Sequence, residues 1–289
     1  MTQIANSYRV ILSQLQTGVR IRSLQFIKNK EGNVMIANYH THTPRCGHAC
    51  GQEIEYVENA LKAGLQILGF SDHTPQFFPG NHYSNMRMRP HLLQEYIDTV
   101  MQLKQDYAGK LQIHLGLEVE YYPAIFPKLV EVLKDTPVEY MLLGQHWNGN
   151  EENEPYNGRP TEDEALLERH CNQVIDAMHT GAFTYLAHPD ILNFVGDPKV
   201  YQRHMRRLCQ AANSCHIPLE MNFIGLRDGR QYPNPLFWEV AAEEGCQSIL
   251  GVDAHSPEQL LDTETERKAN ALLAQLGMQV VETVELKKF

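Results

Sequence analysis

The sequence predicts an α/β fold in which seven parallel strands alternate with helices and close into a (β/α) barrel. From residue 34 onward, short apolar runs alternate with longer amphipathic segments, which is the pattern of repeated βα units. Glycines such as Gly64, Gly181 and Gly245 follow helical segments, where glycine commonly ends a helix. Almost every predicted strand ends in a histidine, glutamate or aspartate. A barrel gathers such strand ends around one mouth, whereas an open sheet would spread them along an edge.

The predicted elements follow one another in regular alternation. The apolar runs predict strands at residues 34–40, 66–71, 111–118, 138–146, 183–188, 217–222 and 248–253. Apolar positions at helical spacing predict helices at residues 53–63, 91–107, 125–134, 162–179, 200–215, 235–244 and 257–276. We therefore expect residues 34–289 to form a single barrel domain. Residues 1–33 are expected to be an N-terminal extension, either helical or a start-site extension.

The composition narrows the class of protein. A length of 289 residues fits one α/β domain with a sizeable core. The formal net charge of −10 argues against a long nucleic-acid footprint, which needs clustered lysine and arginine, but it is compatible with a small phosphorylated substrate. There is no apolar stretch of membrane-spanning length and no secretory pattern at the start, and the six cysteines are irregularly spaced. We therefore expect a cytoplasmic protein that does not bind membranes.

The candidate metal ligands are seven histidines, one glutamate and one aspartate, in order along the chain. They are His40, His42, His48, His73, Glu118, His146, His188, Asp253 and His255. Imidazole and carboxylate are the ligands that zinc, iron and manganese prefer. Because nine groups exceed the three or four of a single site, the sequence predicts a cluster of two or three divalent metal ions (Zn, Fe or Mn). Such a cluster is typical of a metallohydrolase.

Two of these motifs repeat one geometry at strand ends. In His40-Thr-His42, alternate residues of a strand point to the same side, so two imidazoles can bind one metal. Asp253-Ala-His255 repeats this spacing on the last strand. The alternative role for Asp253 is a helix cap, but it precedes the cap position at Ser256 by three residues.

The carboxylates have further interpretations. Glu118 ends an apolar strand, where an unpaired carboxylate would be costly to bury and a metal would remove that cost. Glu120, two residues further on, is the alternative ligand. Asp72 is expected either to orient a ligand histidine or to cap a turn. Asp190 is interpreted as a cap rather than a ligand.

The ordered set of motifs resembles the PHP (polymerase and histidinol phosphatase) family over about residues 35–260. The motifs are His40-Thr-His42, the downstream His48, Ser71-Asp-His73, Gly116-Leu-Glu118, His146, His188-Pro-Asp190 and Asp253-Ala-His255. All nine metal positions of that family have a match here. The resemblance implies a distorted, TIM-like seven-stranded barrel with a trinuclear site. It implies that Glu118 bridges two metals and that His40, His42 and Asp253 share one of them, while the division of the other histidines stays open.

Within that family, several segments resemble the histidinol-phosphate phosphatases. These are residues 40–49, 87–89, 116–123, 143–146 and 220–222. The resemblance implies a phosphoric monoester hydrolase that converts L-histidinol phosphate to L-histidinol and phosphate in histidine biosynthesis. Clustered metals would lower the pKa of a bridging water, and the resulting hydroxide would attack phosphorus. Glu118, Asp253 and His255 are then the expected catalytic set.

Arginines are the candidates for binding the phosphate of the substrate. Arg227 follows the sixth strand, the only one without a metal ligand, and a guanidinium there could hold a phosphate by a bidentate contact. The alternative is a solvated loop arginine. Arg87 and Arg89, in the loop after the second strand, are further candidates.

Other functions remain open at this stage. One is a PHP phosphoesterase with another small substrate, and a second is a PHP-type nuclease, which the acidic charge and the absence of a polymerase domain disfavour. A third is an inactive metal-binding or regulatory barrel, which the complete ligand set disfavours. An amidohydrolase also begins with His-x-His but usually needs a lysine where this chain has His146. The native metals, the substrate alcohol, the proton donor to the leaving group and the oligomeric state stay undetermined.

Overall fold

The structure, a computed structural model, describes residues 35–80 and 82–289. The predicted N-terminal extension, residues 1–33, lies outside these residues. In the described part of the chain, strands and helices alternate, and every paired strand is parallel to its neighbour. The predicted α/β class with a parallel sheet is therefore confirmed.

The named strands form two parallel sheets. The first sheet holds, in spatial order, β1 (Ala37–Asn38), β2 (Ile67–His73), β3 (Gln112–Val119) and β4 (Tyr140–Leu143). The second holds β5 (Leu219–Asn222), β6 (Gln247–Gly251) and β7 (Gln279–Val280). Because parallel strands of one sheet end at the same edge, His73 and Glu118, at the ends of β2 and β3, are paired side by side, and His146 follows the end of β4.

Isolated parallel bridges link residues of the two sheets. Leu186 bridges both Leu143 and Leu219, and Thr41 bridges Ala254. The backbone NH of Ala187 donates to the carbonyl of Leu143 over 2.9 Å. The predicted fifth strand, residues 183–188, is present only as the bridges of Leu186. It cannot continue as regular strand, because His188 adopts a φ of +28° and a turn follows.

Eight α-helices occur in the described residues. They are α1 (Glu53–Lys62), α2 (Leu93–Asp106), α3 (Phe126–Leu133), α4 (Glu164–His179), α5 (Pro198–Ser214), α6 (Phe223–Asp228), α7 (Pro235–Glu243) and α8 (Thr263–Gln275). The predicted helix 257–276 is divided into a 3-10 turn and α8, because the Asp262 side chain accepts a hydrogen bond from the backbone NH of Thr265 and starts a new helix. The short helix α6 was not predicted. None of these helices is long and apolar enough to span a lipid bilayer.

The interior of the sheet is filled by large side chains. Tyr39, Tyr140 and Tyr185 are buried together, and the Tyr140 hydroxyl donates to the backbone carbonyl of Tyr39 over 2.7 Å. Gly116 is required beside them, because a Cβ there would lie 2.3 Å from the Tyr140 ring. The residue that packs closely against the backbone of Gly116 is therefore Tyr140. With this layer packed, the polar side chains are left at the C-terminal ends of the strands.

Candidate metal centre

The structure brings all nine predicted ligands together at the C-terminal ends of the strands. Groups of three donors, whose nitrogen and oxygen atoms lie within 4.8 Å of one another, overlap to cover the whole set. These groups are His40, His42 and Glu118; His73, Glu118 and His146; His48, His73 and His255; and His40, His188 and Asp253. Because the groups share members, the arrangement is one cluster and not several separate sites.

Glu118 lies at the middle of this cluster and is 1% exposed. One carboxylate oxygen, Oε1, lies 2.9 Å from Nε2 of His188, and the other, Oε2, lies 2.9 Å from Nδ1 of His73. Burial alone would raise the pKa of Glu118, but the histidines around it, His73, His146 and His40, hold it well below its usual range. Its two oxygens therefore face different groups of imidazoles, as a carboxylate shared between two metals requires.

Asp253 forms a second anionic position in the cluster. Its Oδ1 lies 3.0 Å from Nε2 of His42, 3.5 Å from Nε2 of His40 and 3.4 Å from Nδ1 of His255. Burial raises the pKa of Asp253, but His40 and His42 lower it further than burial raises it. Its backbone φ of +51° is unusual for a residue other than glycine, and such conformations cluster at functional sites. The alternative capping role of Asp253 is not seen, since its other oxygen accepts a hydrogen bond from Asn222.

Several donor atoms of the cluster are buried without a hydrogen-bond partner. They are Nε2 of His40, both ring nitrogens of His42, Oε2 of Glu118, Nδ1 of His188 and Oδ1 of Asp253. Buried polar atoms are nearly always satisfied, and leaving them without partners is costly. Imidazole and carboxylate donors of this kind satisfy divalent transition metals. The residues present therefore fit a cluster of such metals.

Glu220 is a residue of the centre that sequence reasoning missed. It is fully buried on β5, and its Oε1 lies 2.8 Å from Nδ1 of His40. Its Oε2 accepts from the backbone NH of His188 over 3.0 Å and from the Asn222 amide over 2.8 Å. A carboxylate on the far ring nitrogen fixes the orientation of a ligand histidine. The signal in the sequence was a glutamate inside the short apolar run of β5. No role was predicted for it, because β5 has no candidate metal ligand at its end.

Glu120 and Asp72 lie behind ligand histidines and not among the clustered donors. Oε1 of Glu120 lies 2.8 Å from Nδ1 of His146, and Oδ1 of Asp72 lies 3.5 Å from Nδ1 of His42. Both carboxylates thus face the far nitrogen of a ring whose Nε2 is directed towards Glu118. The structure therefore favours Glu118 over Glu120 as the central carboxylate, and it gives Asp72 the orienting position.

Asp190 has no contact with the clustered donors. Its side chain accepts hydrogen bonds from the backbone NH of Asn234 over 2.5 Å and from Nε1 of Trp238 over 3.0 Å. It therefore holds the chain at the start of α7, but the N-cap of that helix is Asn234, so the predicted capping role of Asp190 is not seen.

The three predicted phosphate-binding arginines are engaged with other groups. Arg227 contacts Asp228 over 3.3 Å and Asp262 over 4.0 Å. Arg89 donates to the Tyr83 hydroxyl and lies over its ring, on the exposed surface. Arg87 is buried, and carboxylates neutralise its guanidinium. Each of the three therefore contacts another group, although NH1 of Arg227 is buried without a hydrogen-bond partner among the described residues. Phosphate binding by these arginines stays a prediction.

Arg230, which sequence reasoning missed, has electrostatic contact with the cluster. Burial would lower its pKa, but Tyr232, Tyr156, Asp228 and Asp253 raise it above its usual value. Its NH1 lies 3.4 Å from the Tyr232 hydroxyl, its NH2 lies 3.3 Å from Oδ2 of Asp228, and its side chain is 42% exposed. No spacing rule marked it, because Arg230 follows the unpredicted helix α6.

Known proteins resemble this chain in sequence and in fold. The PHP domain family profile matches residues 38–223. A probable histidinol-phosphatase of Deinococcus radiodurans is 32% identical over 231 residues, which is 77% of this chain and 87% of that protein. A histidinol-phosphatase of Bacillus subtilis is 34% identical over 115 residues, 37% of this chain and 42% of that protein. The crystal structure of a histidinol phosphate phosphatase from Lactococcus lactis, complexed with zinc, L-histidinol and phosphate, superposes with a TM-score of 0.68 at 18% identity. That superposition covers 88% of this chain and all of that one.

Proposed function

The chain belongs to the PHP domain family, and we propose that it is a metal-dependent phosphomonoesterase that hydrolyses L-histidinol phosphate to L-histidinol and phosphate. The observation that carries the proposal is the convergence of nine imidazole and carboxylate side chains on Glu118. The names of the relatives support the substrate, and the zinc in the Lactococcus lactis structure supports the metal chemistry.

The proposed site assigns a role to each side chain of the cluster. The metal-binding set is His40, His42, His48, His73, Glu118, His146, His188, Asp253 and His255. Glu118 would bridge, while Glu220 and Glu120 hold the rings of His40 and His146 through their far nitrogens. Asp72 lies 3.5 Å from Nδ1 of His42 and faces that ring without a hydrogen bond. When bound, divalent metals supply positive charge that activates water and stabilises the phosphoryl oxygens.

We further propose that the strands close into a single distorted barrel over residues 34–289. The bridges from Leu186 to its two neighbours and from Thr41 to Ala254 support closure into a ring of seven strands. These are β1 to β4, residues 183–188 as the irregular fifth member, β5 and β6, while β7 pairs with β6 outside the ring. Closure matters for function because it places the first and last strands, which carry His42 and Asp253, side by side. The six free cysteines support the expected cytoplasmic location.

The substrate test compares phosphate release from three compounds. We expect L-histidinol phosphate to be hydrolysed much faster than p-nitrophenyl phosphate or a dinucleotide, because its amine and imidazole offer contacts that a generic ester lacks. The measurement is kcat/KM for each compound with the same metal-loaded protein. A preference for the dinucleotide or for single-stranded DNA would replace this proposal with a nuclease.

A second prediction concerns the arginine that binds the phosphate. Asp253 is among the groups that raise the pKa of Arg230, and the Arg230 side chain is partly exposed. We therefore expect Arg230→Ala to lower kcat/KM by an amount equivalent to roughly 2–4 kcal/mol of transition-state stabilisation, with metal content unchanged. Arg227→Ala is the comparison variant, since the Arg227 side chain is less exposed, at 21%, and also lies 3.3 Å from Asp228, and we expect it to have the smaller effect. A larger effect of Arg227→Ala than of Arg230→Ala would instead indicate that Arg227 binds the phosphate, as the sequence predicted.

A further inference from the structure

Arg87 lies behind the metal centre and not on the open surface. Its side chain is 3% exposed and is placed between two buried carboxylates. NH1 lies 2.5 Å from Oε2 of Glu120, and Nε donates to Oε2 of Glu151 over 3.1 Å. NH1 also lies 3.4 Å from the backbone carbonyl of Thr74, and the guanidinium carbon lies 5.9 Å from the ring centroid of Trp147. Each of the three guanidinium nitrogens therefore has a partner among the described residues.

The contact with Glu120 reaches the metal centre through His146. Glu120 accepts from Nδ1 of His146 over 2.8 Å, and a carboxylate can only accept, so Nδ1 carries the proton. In the neutral ring, which is the form that binds a metal, Nε2 is then the unprotonated nitrogen, and it is Nε2 that faces Glu118, at 3.8 Å.

We propose that Arg87 is a positioning residue for the metal centre, which holds Glu120 and thereby fixes the ring and tautomer of His146. The same guanidinium holds Glu151, so it also ties the loop that follows β4 to the loop that follows β2. The inference rests on the proposed function only in taking the cluster to bind metal. It replaces the phosphate contact that the sequence suggested for Arg87.

Arginine is the side chain that this position requires. The side chains of Glu120 and Glu151 are 1% and 4% exposed, so each would be a buried unpaired charge without a cation between them. The guanidinium presents several donors in one plane and can contact both carboxylates at once. A lysine ammonium is a point charge and would hold the two with less directional control.

The test measures metal affinity directly, with Arg87→Gln as the first variant. We expect the variant to bind one metal per chain about 10–100-fold more weakly than the wild type in competition with a chromogenic chelator. Its kcat should fall at limiting metal and recover when metal is added in excess, with KM little changed. Arg206→Gln is the control, because it removes an arginine that also contacts two glutamates, Glu243 and Glu244, on the surface.

Two further variants keep the test decisive if Arg87→Gln folds poorly. Glu120→Gln removes the negative charge that faces Nδ1 of His146 and leaves Arg87 paired with Glu151. We expect this variant to show the same loss of metal affinity. Arg87→Lys should lie between the wild type and Arg87→Gln. An unchanged metal affinity with a raised KM would overturn the inference in favour of a substrate contact, and a lowered Tm alone would reduce Arg87 to a structural role. Failure of the wild type to bind metal would instead overturn the proposed function.

Discussion

Replacing Glu118 by glutamine is expected to lower kcat on the order of a thousandfold or more. The reason is that two overlapping groups of donors share this one carboxylate. His40 and His42 form one group with Glu118, and His73 and His146 form the other. An amide keeps the volume of the side chain but loses its charge and one acceptor oxygen. Glu118→Gln should therefore weaken two metal positions at once, and elemental analysis should show the loss of more than one metal per chain.

Two control variants separate this effect from general damage. Glu139→Gln removes a carboxylate that pairs with Lys104 and His114, away from the cluster, and should leave kcat within about twofold of the wild type. His48→Ala removes an exposed ligand of a single group and should cost less than Glu118→Gln, with at most one metal lost. Near-normal turnover of Glu118→Gln with full metal content would show that Glu118 is not a shared ligand.

The alternation of elements and the ligand positions were readable from the sequence for a physical reason. The helices bury one apolar face and the strands are apolar on both faces, so each leaves its own period in the sequence. Polar residues at the ends of such strands interrupt these runs and are conspicuous. Glu118 and His146 were therefore identified from position alone, although only the structure shows that they lie 3.8 Å apart.

The features that sequence reasoning missed depend on contacts between distant parts of the chain. Glu151, which pairs with Arg87, lies 64 residues further along, in a loop with no recognisable motif. Glu220 orients His40 across a separation of 180 residues. The irregular fifth strand follows from the backbone of His188, where a positive φ turns the side chain towards Glu118 at the expense of regular pairing. No local pattern encodes these contacts.

Removal of metal by a chelator is expected to abolish phosphatase activity, and zinc, iron or manganese should restore it. We expect close to three metals per chain in the active protein, because the overlapping donor groups offer nine ligands and one central bridge. The measurement is activity and elemental content after chelation and again after titration with each metal. Full activity with one metal or none per chain would contradict the cluster.

The same titration should release protons. Without metal, burial would lower the pKa of His42, but the carboxylates of Asp253, Asp72 and Glu118 raise it to about 9. The carboxylates of Asp253, Glu220 and Glu118 likewise raise the pKa of His40 well above its usual value, against the effect of burial. A raised pKa means that these rings are protonated at neutral pH, whereas a metal binds only the neutral imidazole. Each metal that His40 and His42 bind must therefore displace protons, so metal affinity should rise with pH up to about 9, by roughly tenfold per pH unit for each proton displaced. Calorimetric titrations in buffers of different ionisation enthalpy measure this number. A binding constant independent of pH between 6 and 9 would mean that the metals avoid these two histidines, and the shared position of His40, His42 and Asp253 would have to be abandoned.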